Sequence, residues 1–207
     1  MTDAVPDSNA PLAAGSAGAE FATAKAELEA WISETPPDAT VKGMYVESLL
    51  TLLKRRGAER PTDKRYLSFK DYPLRELMRL TVDAVGVLYP DISPRDGMIA
   101  LGRLAFPTLV STTVGKVIFS IAGPSWVRAL NLVTKAYEVS LKPGTASVED
   151  LTDTSARVEL REIWNFGNSY QVGVFEGAME SFGVRGSVRA VTVGRRCDVD
   201  LLMQWRP

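Results

Sequence analysis

The chain has 207 residues, 45% hydrophobic and 24% charged, with a formal net charge of −1. That balance suits a soluble globular protein of one or two domains and lacks the basic excess that bulk nucleic-acid binding needs. It contains no histidine and one cysteine, Cys197, which excludes Ser-His-Asp and Cys-His catalysis, His- or thiolate-ligated zinc, iron–sulfur clusters, proximal-histidine haem and an internal disulfide.

The first residues, MTDAVPDSNAPLAAGSAG, have neither a basic nor a continuous apolar stretch, so they are not a secretory signal. Their small and polar composition predicts a disordered tail over 1–18 and a cytoplasmic protein. A single domain over 19–207 follows. Phe21, Leu28, Trp31 and Ile32 predict a helix from Ala19 to Ser33, stopped by Pro36-Pro37. Met44, Tyr45, Leu49, Leu52 and Leu53 predict a second helix from Val41 to Arg56, with Gly57 as its stop after three cations.

The stretch KDYPLRELMRLTVDAVGVLYP reads as a helix opened near Pro73 and closed by Pro90. Ser93-Pro94-Arg95-Asp96 is a further start signal, an N-cap followed by proline and an early acid. It leads into LAFPTLVSTTVGKVIFSIAGPSW, from Leu104 to Trp126, whose one charge is Lys116. A membrane span needs about 20 mostly apolar residues. Lys116 at mid-length, Pro107, Gly115 and the Ser and Thr residues argue against one. Apolar residues on most sides predict instead a buried central helix over Leu104–Ala122, with Val114, Val117 and Ile121 nearly inaccessible. Gly123-Pro124-Ser125 then opens a helix carrying Trp126, Leu130, Val133 and Tyr137.

After Lys142-Pro143-Gly144 the period changes to two. Ala156–Ile163 alternates as a half-buried strand, with Thr145–Leu151 as its partner. Gln171–Phe182 returns to helix, with Gly183 as its stop. Ser187–Val193 and Cys197–Trp205 form a hairpin about Gly194-Arg195-Arg196. The predicted class is α+β, with N-terminal helices packed against a C-terminal antiparallel sheet in the chain order β-β-α-β-β.

The motifs carry little chemistry. Thr113-Val-Gly-Lys116 has the Ser-x-x-Lys spacing, but so does Thr51-Leu-Leu-Lys54 inside an ordinary amphipathic helix. The P-loop glycine and magnesium-binding hydroxyl are also missing around Lys116. Lys54, Arg55, Arg56, Arg60, Lys64 and Arg65 read as a solvated helix end and loop. The acids Glu149, Asp150 and Asp153 lack the spacing of a calcium loop. Gly173-x-x-x-Gly177 reads as a close packing contact, and Cys197 as a structural thiol. No catalytic residue, metal site or cofactor is predicted.

VKGMYVESLL, KDYPLRELMRLTVDAVGVLYPD, ALGRLAFPTLVSTTVGKVI, YQVGVFEGAMESFG and VDLLMQW occur in that order. Over Val41–Trp205 the chain thereby resembles a paralogous family of roughly 200-residue proteins of unknown function, found mainly in myxobacteria. That family is similar to haem–nitric-oxide-binding and four-vinyl-reductase-like sensor folds. The resemblance implies helices on an antiparallel sheet, and either a small apolar ligand in a pocket or a dimerising regulatory module. It does not carry haem over, because the proximal histidine is missing. The corresponding pocket wall would be Gly102–Ile118, with Arg103, Thr112 and Lys116 as ligand-binding candidates. Two readings stand: a cytoplasmic ligand-sensing or regulatory module able to pair as a homodimer, and a non-catalytic interaction subunit with a packed core. Neither involves nucleic acid or a membrane. A cavity separates them.

Overall fold

The computed structural model describes residues 14–206 apart from 112 and 122. Helix α1 spans Ala14–Glu34. It takes in 14–18, which the sequence assigns to the tail; the rest of that tail, 1–13, lies outside the described residues. Alanine carries the lowest cost of any residue in a helix, and Ala14, Ala17 and Ala19 extend α1 backwards. Its C-terminal end is fastened to the domain. Trp31 meets Phe166 edge-on at 5.5 Å, and Arg196 both pairs with Glu34 at 3.1 Å and lies over the Trp31 ring.

Next come β1 (Thr40–Lys42), α2 (Gly43–Arg55), β2 (Asp71–Pro73), α3 (Leu74–Leu88) and α4 (Pro94–Ser111). The start of α4 is closed reciprocally. Ser93 Oγ accepts from the Asp96 N–H at 3.1 Å and donates to the Asp96 carboxylate at 2.7 Å, satisfying a donor that the helix leaves free. Helix α5 (Thr113–Ser120) and α6 (Trp126–Ser140) follow. Ser125 caps α6 by accepting from the Arg128 N–H.

The C-terminal half is β3 (Leu141–Lys142), β4 (Thr145–Glu149), β5 (Ser155–Arg161), α7 (Tyr170–Ser181), β6 (Arg185–Thr192) and β7 (Val199–Arg206). β4 to β7 form one antiparallel sheet in the spatial order β4-β5-β7-β6. The period-2 alternation sets its register: Val158 faces Leu201 and Leu160 faces Val199, all buried on the helix side. On the other side Arg157, Glu159, Arg161 and Asp200 form an ion-pair ladder. The predicted α+β class and its β-β-α-β-β chain order are thus present. A second sheet, β2-β1-β3, was not expected. Its strands are two or three residues long, too short to alternate visibly, and they join the starts of α2 and α3 to the end of α6.

The β6–β7 turn is tied down by Asp198, whose carboxylate accepts from the Glu162 N–H at 2.8 Å and from Arg195 Nε at 2.8 Å. Burial works to raise the pKa of this carboxyl, but those hydrogen bonds and the Arg195 charge outweigh it and hold it below the ordinary 3.8. A depressed folded-state pKa contributes stability above the unfolded value, lost as pH falls through the folded one. The parent should therefore lose stability below about pH 4 more steeply than Asp198→Asn in urea melts from pH 6 to 2. Parallel acid limbs would show that the tie adds nothing.

The single central helix is corrected. Helix is described over Pro94–Ser111 and over Thr113–Ser120, and Phe106 touches Phe119 thirteen positions on, a pair that one straight helix would hold roughly 20 Å apart. Val117 and Ile121 are 66% and 73% exposed, not buried. Phe119 of α5 is buried, meeting Phe106 of α4 edge-on at 4.9 Å. The apolar period continues past the bend although the helix axis does not, so Val117 and Ile121 face outward; the side chain of Val114 lies outside the described residues. No helix among the described residues is long and apolar enough to cross a membrane.

The glycine pair on α7 does what its spacing suggests. A Cβ on Gly173 would collide with the Ile99 carbonyl of α4, and one on Gly177 with the Arg103 carbonyl. From the other side, a Cβ on Gly102 would strike the Tyr170 carbonyl. The two helices therefore touch backbone to backbone, which only glycine permits.

Candidate functional site

The helices do not close completely over the core. Between them lies a chamber walled by Tyr45, Ser48, Leu49 and Leu52 of α2, Leu101, Ala105, Phe106 and Leu109 of α4, Phe119 of α5, and Tyr137 and Ser140 of α6. Asn165 and the first turns of α7, with Tyr170, Gln171 and Val174, complete it. About 80 Å³ admits the centre of a water-sized sphere; the looser hollow, including interstitial space and the mouth, is about 820 Å³. The smaller figure decides what fits. At roughly 10–15 Å³ per water position it holds a few groups of that size, less than the roughly 300 Å³ where drug-sized sites begin.

The wall is apolar with one family of polar groups, and none of the described lining residues is charged. Tyr45 donates to Ser140 Oγ at 3.0 Å, Tyr137 donates to Gln171 Oε1, and Gln171 Nε2 donates to the Asn165 carbonyl. Burial pushes the Tyr45, Tyr137 and Tyr170 phenols above their ordinary value, aided for Tyr137 by the other two tyrosines and for Tyr170 by Tyr45. All three are therefore neutral donors at physiological pH. Two buried wall atoms have no hydrogen-bond partner, Ser48 Oγ and Asn165 Oδ1. Buried polar atoms are normally paired, so an unpaired one invites an explanation.

Of the residues singled out from sequence, Arg103 and Lys116 lie elsewhere. Arg103 is exposed and pairs with Glu176 at 2.7 Å, on the rim of a shallow cleft on the outer side of the α4–α7 pair. The reason is helical geometry: Leu101, Ala105 and Leu109 face the chamber at i, i+4 and i+8, and Arg103 lies about half a turn away. Lys116 is exposed on α5 and does not line the chamber. Thr112 lies outside the described residues. The groups that sequence reasoning missed come from α2, α6, α7 and the loop at Asn165. One signal could have found two of them. Tyr45, Ser48, Leu49 and Leu52 share the i, i+3, i+4, i+7 face of α2, so two polar groups sit on its inward stripe.

Of the basic stretch, Arg60 is paired with Glu47 and Lys64 with Glu76. No cluster of three or more Cys, Asp or Glu residues suited to a metal ion occurs among the described residues. Cys197 is buried, and its thiol is pushed up by burial and then by Asp198; it is no thiolate.

A family model described as "Protein of unknown function (DUF2378)" matches residues 34–206. The sequence has no match among curated proteins. Among solved structures, the fold is similar to an Fe(II) unliganded H-NOX protein from K. algicida, at 14% identity and TM-score 0.56, covering 80% of this chain and 97% of that one. An H-NOX protein from S. oneidensis in the Fe(II)NO ligation state aligns at 18% identity and TM-score 0.55, over 80% and 99% of the two chains. An oxygen-binding H-NOX domain related to soluble guanylate cyclases gives 15% identity and TM-score 0.54, over 80% and 93%. At these identities the likeness is one of fold.

Iron in the first two of those structures raises the question of whether a haem suits this chamber. The residues present do not fit one. The wall offers no imidazole, thiolate or thioether, the usual axial donors. Its phenols are held protonated, which opposes a phenolate ligand. The enclosed space is also far too small for a macrocycle without separating the helices.

Proposed function

The chain belongs to the DUF2378 family of proteins of unknown function, and from that premise we propose that it is a cytoplasmic, haem-independent sensing domain. It takes a small ligand into the chamber between α2, α4, α6 and α7, as a binding module and not an enzyme. The observation that carries this reading is the chamber itself. It is an uncharged hollow, enclosed by the same helices that form the core, with polar atoms left unpaired in its wall. The resemblance to H-NOX folds supports it by analogy alone. An interaction subunit remains the second reading, favoured by the outward Val117 and Ile121 at α5, which would suit a homodimer contact.

Xenon under pressure tests the first reading, because it needs space and no chemistry. It should shift the methyl resonances of Leu49, Leu101 and Leu109 and leave those of Leu202 on the outer sheet face unmoved. No shift at any chamber methyl would hand the case to the interaction reading, for which native mass spectrometry should then show a dimer. Added hemin should give no stoichiometric complex with a shifted Soret band, and zinc should not survive dialysis; either one retained at one per chain overturns haem and zinc independence.

A further inference from the structure

Resting on that reading, we infer that the chamber's ligand is a small neutral molecule with an apolar body and one hydrogen-bond donor, such as a short alcohol, and not a diatomic gas or an ion. Three observations converge. None of the described lining residues is charged, and an unpaired charge entering such a site forfeits its hydration without compensation. The volume of about 80 Å³ takes about five non-hydrogen atoms at the space a water position needs. The polar end supplies the third, and it is the one that discriminates.

Within the wall the hydrogen bonds among Tyr45, Ser140, Tyr137, Gln171 and Asn165 are made internally. What is left over is Ser48 Oγ and Asn165 Oδ1, both buried and both without a partner. A carboxamide oxygen only accepts, and a serine hydroxyl can accept as well as donate. A donor is therefore what meets both of these buried atoms, and Asn165 Oδ1 can be met by nothing else. A ligand O–H or N–H meets it, while an ether, a ketone or a diatomic gas leaves Asn165 Oδ1 as it was. Leaving such a group unpaired is what makes polar sites discriminate strongly against analogues that lack the matching atom.

The test uses isomers. 1-Butanol and methyl propyl ether have the same atoms, and only the alcohol donates; butylammonium keeps the size and adds a charge. With the full chain, titrations followed at the Leu49, Leu101 and Leu109 methyls should show 1-butanol binding about five- to tenfold tighter than the ether, the worth of one net hydrogen bond, and butylammonium not binding. Ser48→Ala removes an unpaired hydroxyl from a helix, so it should fold at least as stably as the parent. It should lose several-fold in affinity for 1-butanol while its response to xenon and to the ether is kept.

An ether bound as tightly as the alcohol, or butylammonium bound at all, overturns the donor assignment while a xenon response leaves the sensing reading intact. Equal alcohol affinity in the parent, Ser48→Ala and Asn165→Leu also overturns it. Failure of xenon, alcohol and ether together overturns both.

Discussion

Gly173→Val is expected to lower the urea midpoint drastically, by at least about 3 kcal/mol in stability, the upper end of overpacking. The new Cβ would lie on the Ile99 carbonyl of α4. A backbone oxygen inside a helix has no rotamer by which to withdraw, so the α4–α7 pair must part along its length and expose Leu101 and Phe175, both fully buried in the parent. Gly177→Val should behave alike through Arg103. Gly86→Ala is the matching control. It lies in α3 with nothing within 4 Å of an added Cβ, and should stabilise by about 0.5–1 kcal/mol as alanine replaces glycine in a helix. Loss of stability at Gly86 comparable to that at Gly173 would show that helix propensity, not contact, governs both.

Leu101→Ala should cost about 2–5 kcal/mol, because Leu101 is fully buried and its deletion enlarges a hollow that already exists. Ile121→Ala, at a side chain 73% exposed, should change stability by no more than about 0.5 kcal/mol. Paired denaturant melts decide the matter. Equal midpoints for the two variants would mean that Ile121 packs inward in solution.

That pair of residues shows where the sequence was legible. Alternation over Val158, Leu160, Val199, Leu201 and Met203 identified the sheet, since a period of two allows each side chain one face only. The 173–177 glycine spacing likewise identified a contact. The apolar run after Leu104 misled because periodicity reports which residues share a face while the helix lasts and is silent about where it ends. Ile121 keeps the phase of Phe106 but lies just past the end of α5. Arg103 and Lys116 were candidates because the family resemblance placed the pocket wall at Gly102–Ile118, yet on a packed helix such charged residues point to water. The chamber's own polar groups were hidden because Tyr45, Ser48, Tyr137, Asn165 and Gln171 are scattered over some 126 positions of chain and meet only after α2, α6 and α7 are assembled.

The backbone contact between α4 and α7 has a mechanical consequence. Helices that meet through long side chains can slide, because rotamer changes absorb small displacements, whereas a joint made of Gly102, Gly173 and Gly177 against carbonyl groups has no such slack. The pair therefore behaves as one rigid plate, with Leu101 and Ala105 of one helix and Tyr170 and Val174 of the other on its chamber side. Whatever swells the chamber pushes against the whole plate. The yielding seam is then the one toward α2 and α6, and the load passes from the end of α7 through Gly183 directly into β6, an outer strand of the sheet.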